Sequence, residues 1–541
     1  MVPRLPRMGL THLAGLLATA ALLAAGCGGG GHASPPPPVK PSPAQAAHRP
    51  PLLSMFEAGG LSGDPTAVLT QLRRLGVDVV RVFVPWGALA PNAAARHLPA
   101  GENPASPGIY QGSAWASYDG IVRAAAAEGI AIDLTLEAPA PLWAVGPGVP
   151  RGGLTGPWRP NAADYGAFVR AVAGRYTGSY APPGATRLPR VHMWSIWNEP
   201  NYGVQLAPQA TDHSQVEVAP AIYRGLVDAA WSALAATGHG HDTILLGELA
   251  PRGQTFQGHP GNYDGMVPLR FLRALYCVDG SLKPLQGAAA SQRGCPRGGG
   301  SAAFSAQHPA LFQASGYALH LYPQGALAPN VVTPGEPDYA DLATLPRFER
   351  TLDTIMSAYG SHKRFPIYDT EFGYKTNPPY AYGVPAATAA TYLSWSEYMH
   401  WRDPRVASYD QYLLMDPGPP SRFDSGIETS AGTPKPSFFA YRMPLYMPVT
   451  RAGSAARLEV WGCARPSGVV RARTGRPQVA TLQFAPSGST RFAKLRSVTL
   501  TDPSCYFDLR VPFTRSGQLR LAWSPVHGPA IYSLPIRVTI G

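Results

Sequence analysis

Between residues 52 and 447, short apolar runs alternate with amphipathic ones, and this constrains the fold more than any other feature of the chain. Apolar runs occupy 53–58, 77–84, 130–136, 192–199, 243–248, 316–322, 365–371 and 407–414. Segments with apolar residues at helical spacing lie between most of them, at 65–75, 117–128, 162–176, 221–236, 348–359 and 386–401. A strand buried on both faces reads as a near-continuous apolar run, whereas a helix laid on a sheet carries one apolar stripe. Eight strand–helix units are the count of a closed parallel barrel, so the class is α/β and a (β/α)8 TIM barrel is expected over 51–447. Roughly 400 residues is large for that fold and predicts long loops after the fourth and fifth strands.

After about residue 451 the pattern changes. Short alternating runs at 458–461, 469–473, 479–484, 497–500, 505–511, 519–523 and 531–540 sit between turn signals, and helical periodicity disappears. A small antiparallel, sandwich-like β-domain is expected over 448–541. It either caps the barrel or binds carbohydrate. The shortage of aromatics for a sugar-stacking platform favours the cap. Of five cysteines, Cys277 with Cys295 and Cys463 with Cys505 form sequence-local pairs. In an exported chain these read as disulfides, the first pinning the loop after the fifth strand and the second stapling the β-domain. No Cys/His spacing suits a metal.

The N-terminus supplies the export signal. Arg4 and Arg7 precede an apolar stretch at 13–25, too short for a membrane span. It ends Leu23-Ala24-Ala25-Gly26-Cys27, which resembles a bacterial lipoprotein signal over 1–27 with Cys27 as the lipidated residue. An ordinary secretory signal with an incidental cysteine is the alternative. The Gly- and Pro-rich run at 28–50 reads as a tether. The chain is then secreted, or held at the outer face of the cytoplasmic membrane by lipid alone. Its net charge of +12 could attract anionic polymers, but a GC-rich coding bias toward Arg explains it as well. No Lys/Arg run marks a nucleic-acid surface.

Two strands end on carboxylates. The fourth closes Trp194-Ser195-Ile196-Trp197-Asn198-Glu199-Pro200-Asn201, where Pro200 biases Glu199 toward an extended conformation. The seventh closes Tyr368-Asp369-Thr370-Glu371-Phe372-Gly373. Catalytic residues of such barrels stand at the C-terminal ends of strands. About three units separate Glu199 from Glu371, which places them across one mouth. Two carboxylates over a cleft are what glycoside hydrolysis requires, one protonated and one ionised. Arg81 interrupts an apolar strand and needs an anion; it is assigned to Glu371, which it would hold ionised. Asp369 would compete for it. His320 and Tyr322, two apart, share a face and are expected against Glu371 and substrate. Trp86, Trp143 and Trp197 follow or end strands, as sugar-stacking aromatics would. Glu137 and Glu248 also end strands, without a flanking motif, and are expected around the centre or at outer subsites.

Trp-Asn-Glu-Pro-Asn at 197–201 and Thr-Glu-Phe-Gly at 370–373 together resemble the two signatures of the clan A retaining glycoside hydrolases, with a layout similar to families 5 and 39. The resemblance covers the barrel. It implies that Glu199 is the general acid/base, Glu371 the nucleophile and Asn198 the partner of the sugar 2-hydroxyl. The expected activity is hydrolysis of an extracellular oligo- or polysaccharide by double displacement, without cofactor or metal, in a monomer. The same carboxylates would also serve a transglycosylase, and a non-catalytic, lipid-anchored glycan-binding protein is the alternative from another class. The chain departs from many such relatives at the eighth strand, where Ser408-Tyr409-Asp410-Gln411-Tyr412 offers no Trp. The lack of a Gly-x-Ser-x-Gly elbow argues against a serine hydrolase.

Overall fold

The computed structural model describes residues 51–541, apart from 111, 212–213, 254–259, 299–301, 422, 455 and 526–527. The signal expected at 1–27, with Cys27, and the tether at 28–50 lie outside the described residues. Eight strands, β1 (Leu53–Glu57), β2 (Val79–Pro85), β3 (Ala131–Glu137), β4 (Met193–Ile196), β5 (Thr243–Leu249), β6 (Gly316–Leu319), β7 (Ile367–Asp369) and β8 (Val406–Tyr412), close into a barrel. Every barrel pairing is parallel, and the ring runs β1-β8-β7-β6-β5-β4-β3-β2.

At least one helix follows each strand, the principal ones being α1 (Pro65–Leu75), α2 (Gly112–Glu128), α3 (Ala162–Arg175), α4 (Ala219–Ala236), α5 (Pro268–Leu275), α6 (Leu345–Ala358), α7 (Ala386–Arg402) and α8 (Pro436–Arg442), with short helices at Trp86–Leu89 after β2 and at Gly287–Gln292, Ala302–Gln307 and Pro309–Gln313 after α5. The short α5 and α8 escaped the periodicity; both open on a proline at the first helical position.

The alternation along β2 shows how the sequence sorts its two faces. Val80, Val82 and Val84 join the core between barrel and helices. Val79, Arg81 and Phe83 are the other set. Val79 joins Met55, Met193, Leu245 and Ala318 in an apolar cluster of its own, whereas Phe83 lines the cleft. Arg81 lies between them and is buried. A polar layer therefore stands between an apolar floor and the mouth.

The C-terminal region holds two sheets. One pairs Leu445–Tyr446 and Tyr506–Pro512 with Arg457–Cys463. The other is built on Gln478–Pro486, Ala493–Leu500, Gly517–Trp523 and Ile536–Ile540. All pairings are antiparallel except that of Arg451–Ala452 with Ile536–Ile540. Val460, Leu482, Leu519 and Leu521 belong to one core. The strand expected at 469–473 is instead inside a helix, Pro466–Thr474. Pro466 opens it and Gly475, at φ 65°, closes it, and these two end signals outweigh the β-branched Val469-Val470 pair.

This domain is docked on the barrel wall. Arg465 pairs with Glu397 of α7 at 2.6 Å and donates to the Tyr441 carbonyl of α8 at 2.9 Å. Tyr506 donates to Glu397 at 2.7 Å, and Trp461 packs on Tyr398 and Trp401. Cys277–Cys295 and Cys463–Cys505 are both disulfides. Among the described residues, no helix is long and apolar enough to cross a membrane.

Candidate active site

β4 stops at Ile196, and the six residues after it make a tight, strained turn. Trp197 has φ 68° and Glu199 φ 41°; Glu248, at the end of β5, has φ 47°. The extended conformation expected of Glu199 before Pro200 is thus overturned. Left-handed backbone at a non-glycine residue costs about 1–3 kcal/mol and persists only where its surroundings enforce it. Here they do. The Glu199 amide donates to the Glu248 carbonyl at 2.9 Å, and the Trp197 amide to the Leu136 carbonyl at 3.0 Å. Asn201 donates to the carbonyls of Ala250 (3.1 Å) and Met266 (2.9 Å) and accepts from the Ala250 amide (2.9 Å). The last residue of the motif therefore fastens the turn to the segment after β5.

Arg81 is the hub of the site. Nη1 donates to Glu371 Oε1 at 2.5 Å and Glu57 Oε2 at 3.3 Å. Nη2 donates to Glu248 Oε2 at 2.8 Å and Asn198 Oδ1 at 2.9 Å, and Nε to Thr135 Oγ1 at 3.0 Å. His320 lies between three carboxylates. Nδ1 is 2.9 Å from Glu199 Oε1 and 3.5 Å from Glu371 Oε2, and Nε2 is 3.0 Å from Glu248 Oε2. Tyr322 donates to Glu371 Oε2 at 3.2 Å. An oxygen of Glu199 and one of Glu371 lie within 4.8 Å of each other. Both residues line an open cleft of about 540 Å³, together with Glu137 and Asn198.

Five glutamates, Glu57, Glu137, Glu199, Glu248 and Glu371, thus surround two cations, and burial does not allow all five to be charged. Burial pushes Glu137 up to about 8. Burial, then the charge of Glu371, raises Glu57 well above the carboxylate range. Glu137 therefore holds its proton at neutral pH. Glu248 is the opposite case: burial would raise it, but Arg81 and then His320 overcome that and hold it at about 2. Burial works against the His320 charge, yet Glu371, Glu199 and Glu248 raise that imidazole to about 10. Glu371 does not stay low as expected. Burial raises it, and His320 and Arg81 recover only part of the shift. One guanidinium divided among several carboxylates cannot fully offset the dehydration of each.

No protein-family model and no curated protein matches the chain. Solved structures similar to it include a family 39 glycoside hydrolase from the gut symbiont Bacteroides cellulosilyticus WH2, at 13% identity and TM-score 0.46, covering 85% of this chain and 81% of that one. A GH5_18 structure from Streptomyces cattleya has 15% identity and TM-score 0.44, covering 75% and 84%. A GH30 endoxylanase from Clostridium papyrosolvens C71 has 10% identity and TM-score 0.40, covering 86% and 95%. Likeness this distant carries no argument about activity; the chemistry rests on the site's own geometry.

The structure brings Arg81, Asn198, Glu199, His320, Tyr322 and Glu371 together, and places the tryptophans elsewhere. Trp86 and Trp197 are wholly buried, and Trp143 packs edge-on against Trp86. Trp86 and Trp197 belong to the core, and the half-buried Trp143 packs against it. The aromatics that line the cleft are Phe83, Tyr202, Tyr322, Tyr380, Tyr412 and Phe423, with Tyr382 at its rim. Tyr412 stands at the end of β8, where Trp was noted as missing. Asp369 does not compete for Arg81: it faces α7 and pairs with His400 Nε2 at 2.8 Å. Glu57 was missed, although it ends β1 as Glu137 ends β3. Glu199, His320 and Glu371 are close enough to hold a metal ion. Both ring nitrogens of His320 already face carboxylate oxygens, however, and an imidazolium has no lone pair to give.

Proposed function

We propose that the chain is a retaining glycoside hydrolase working by double displacement on an extracellular glycan. The observation that carries this reading is the meeting of Glu199 and Glu371 in one cleft, with oxygens within 4.8 Å. That spacing suits direct attack by one carboxylate; an inverting pair stands about 6.5–9.5 Å apart to admit a water. Glu371, oriented by Arg81 and Tyr322, attacks the anomeric carbon. Glu199, braced by His320, protonates the departing oxygen and then takes the proton of the water that frees the sugar. Asn198 has its amide oxygen tied to Arg81, which leaves its NH2 for Glu137 and the sugar's hydroxyls. The two disulfides fit an oxidising, exported setting.

A panel of aryl glycosides and polysaccharides tests the reading. Glu371→Gln is expected to lower kcat on the order of 10⁴-fold or more on every substrate. Glu199→Gln is expected to cost about 10²–10⁴-fold on substrates with poor leaving groups and far less on activated aryl glycosides. Equal loss on both kinds would remove Glu199 from the role of proton donor.

A further inference from the structure

The cleft carries two cations for which the catalytic reading has no use. Arg252, just beyond β5, and Lys375, four residues past Glu371, both line it. Among the described residues neither forms an ion pair. Arg252 Nη1 donates to the Tyr322 carbonyl at 3.1 Å. Lys375 Nζ lies 4.2 Å from the centre of the Phe423 ring and 4.8 Å from that of Tyr380. The Phe423 ring packs on Tyr322 at 5.5 Å, and the Tyr322 hydroxyl is on Glu371. Lys375 is therefore linked to the proposed nucleophile through two aromatic residues in contact, Phe423 and Tyr322, and Arg252 through Tyr322 alone. Burial lowers the Lys375 ammonium, and so does the like charge of Arg252. The buried Asp424 offsets only part of this, and like charges drawn together in a half-buried place repel until an anion arrives.

We propose that the cleft takes an anionic glycan, seating a carboxylate or sulfate of a sugar next to the scissile bond against Arg252 and Lys375. A guanidinium offers such a group paired donors, and an ammonium a compact point charge. Tyr380 and Tyr382, the latter 81% exposed, offer flat faces for the sugar ring. The cleft's own acids do not veto an anion, because Glu371 is paired with Arg81, Glu199 with His320, and Glu137 keeps its proton at neutral pH. The net charge of +12 draws a polyanion in the same direction.

This inference rests on the glycosidase reading for the scissile bond but is tested by binding, so the two fail separately. Glu371→Gln protein is titrated calorimetrically with matched oligosaccharides: uronic acid-containing against carboxyl-reduced, and sulfated against desulfated. The acidic member of at least one pair is expected to bind about tenfold or more tightly, with an advantage that shrinks as salt rises. Adding Arg252→Gln and Lys375→Met should bring the ratio toward one, while Arg252→Lys should keep part of it. The carboxylate and sulfate arms tell which oxyanion is meant. Equal affinity within every pair, or a preference that survives loss of both cations, would overturn the inference. Hydrolysis of neutral glycans alongside such a result would leave the glycosidase reading intact.

Discussion

Glu248 never reaches the cleft, yet it sets the charge of the residues that do. Its Oε2 accepts from Arg81, His320 and Thr370, so one buried anion fixes the guanidinium that orients Glu371 and the imidazolium that braces Glu199. It is a positioning residue, and Glu248→Gln is expected to lower kcat about tenfold to hundredfold with a smaller change in KM. The alkaline limb of the pH–rate profile should also move to lower pH, because His320 loses one carboxylate that holds its proton. A packing role alone would lower the melting temperature and leave the limb in place. The raised groups make a second prediction. Glu137 keeps its proton up to about 8 when folded and loses it near 4.3 when unfolded. The folded state therefore binds the extra proton in that window, and stability falls as pH rises through it. His320, raised to about 10, contributes stability present in full below about 6.5 and lost as pH climbs through 10. The melting temperature should decline from about pH 5 to 9, and Glu137→Gln should flatten the lower part of that decline. A flat or rising curve for the parent protein would count against these assignments. Part of the site was legible at this scale because a charged residue inside an apolar run is conspicuous. Arg81 stood out in this way, and Glu199 and Glu371 as carboxylates that end two strands. Their sharing of protons was not legible, since it depends on which five acids converge.

Elements were read well where one period decides. The bounds of α1 follow from Pro65 at its first position and Gly76 in left-handed backbone at its end, both visible in sequence. The turn after β4 was misread because Pro200 acts only on local preference, and tertiary hydrogen bonds override it. Asn201 is the fastening. Asn201→Ala removes its bonds to Ala250 and Met266 and leaves buried backbone groups unpaired, at a cost of about 2–4 kcal/mol. Glu199 should then relax toward ordinary backbone, and kcat should fall more than KM changes. Unchanged kcat at unchanged stability would show that the strained turn is not needed. The tryptophans failed for a related reason: nearness to a strand end does not reveal whether a ring turns up to the cleft or down beneath the loops.

For the whole molecule, barrel and β-domain are joined through buried polar groups and aromatic packing. Arg465 and Glu397 are both almost wholly buried, and breaking such a pair by removing one partner costs about 3–5 kcal/mol. Arg465→Met is therefore expected to lower one melting transition common to both parts; two separate transitions would refute the coupling. The central claim is that Glu199 and Glu371 act on one anomeric centre with Glu371 forming the covalent bond. Proton NMR of the first sugar released from a cleaved glycoside tests it most directly. The account predicts the same anomeric configuration as in the substrate, appearing before mutarotation. The opposite anomer as first product, or release undiminished in Glu371→Gln, would contradict it.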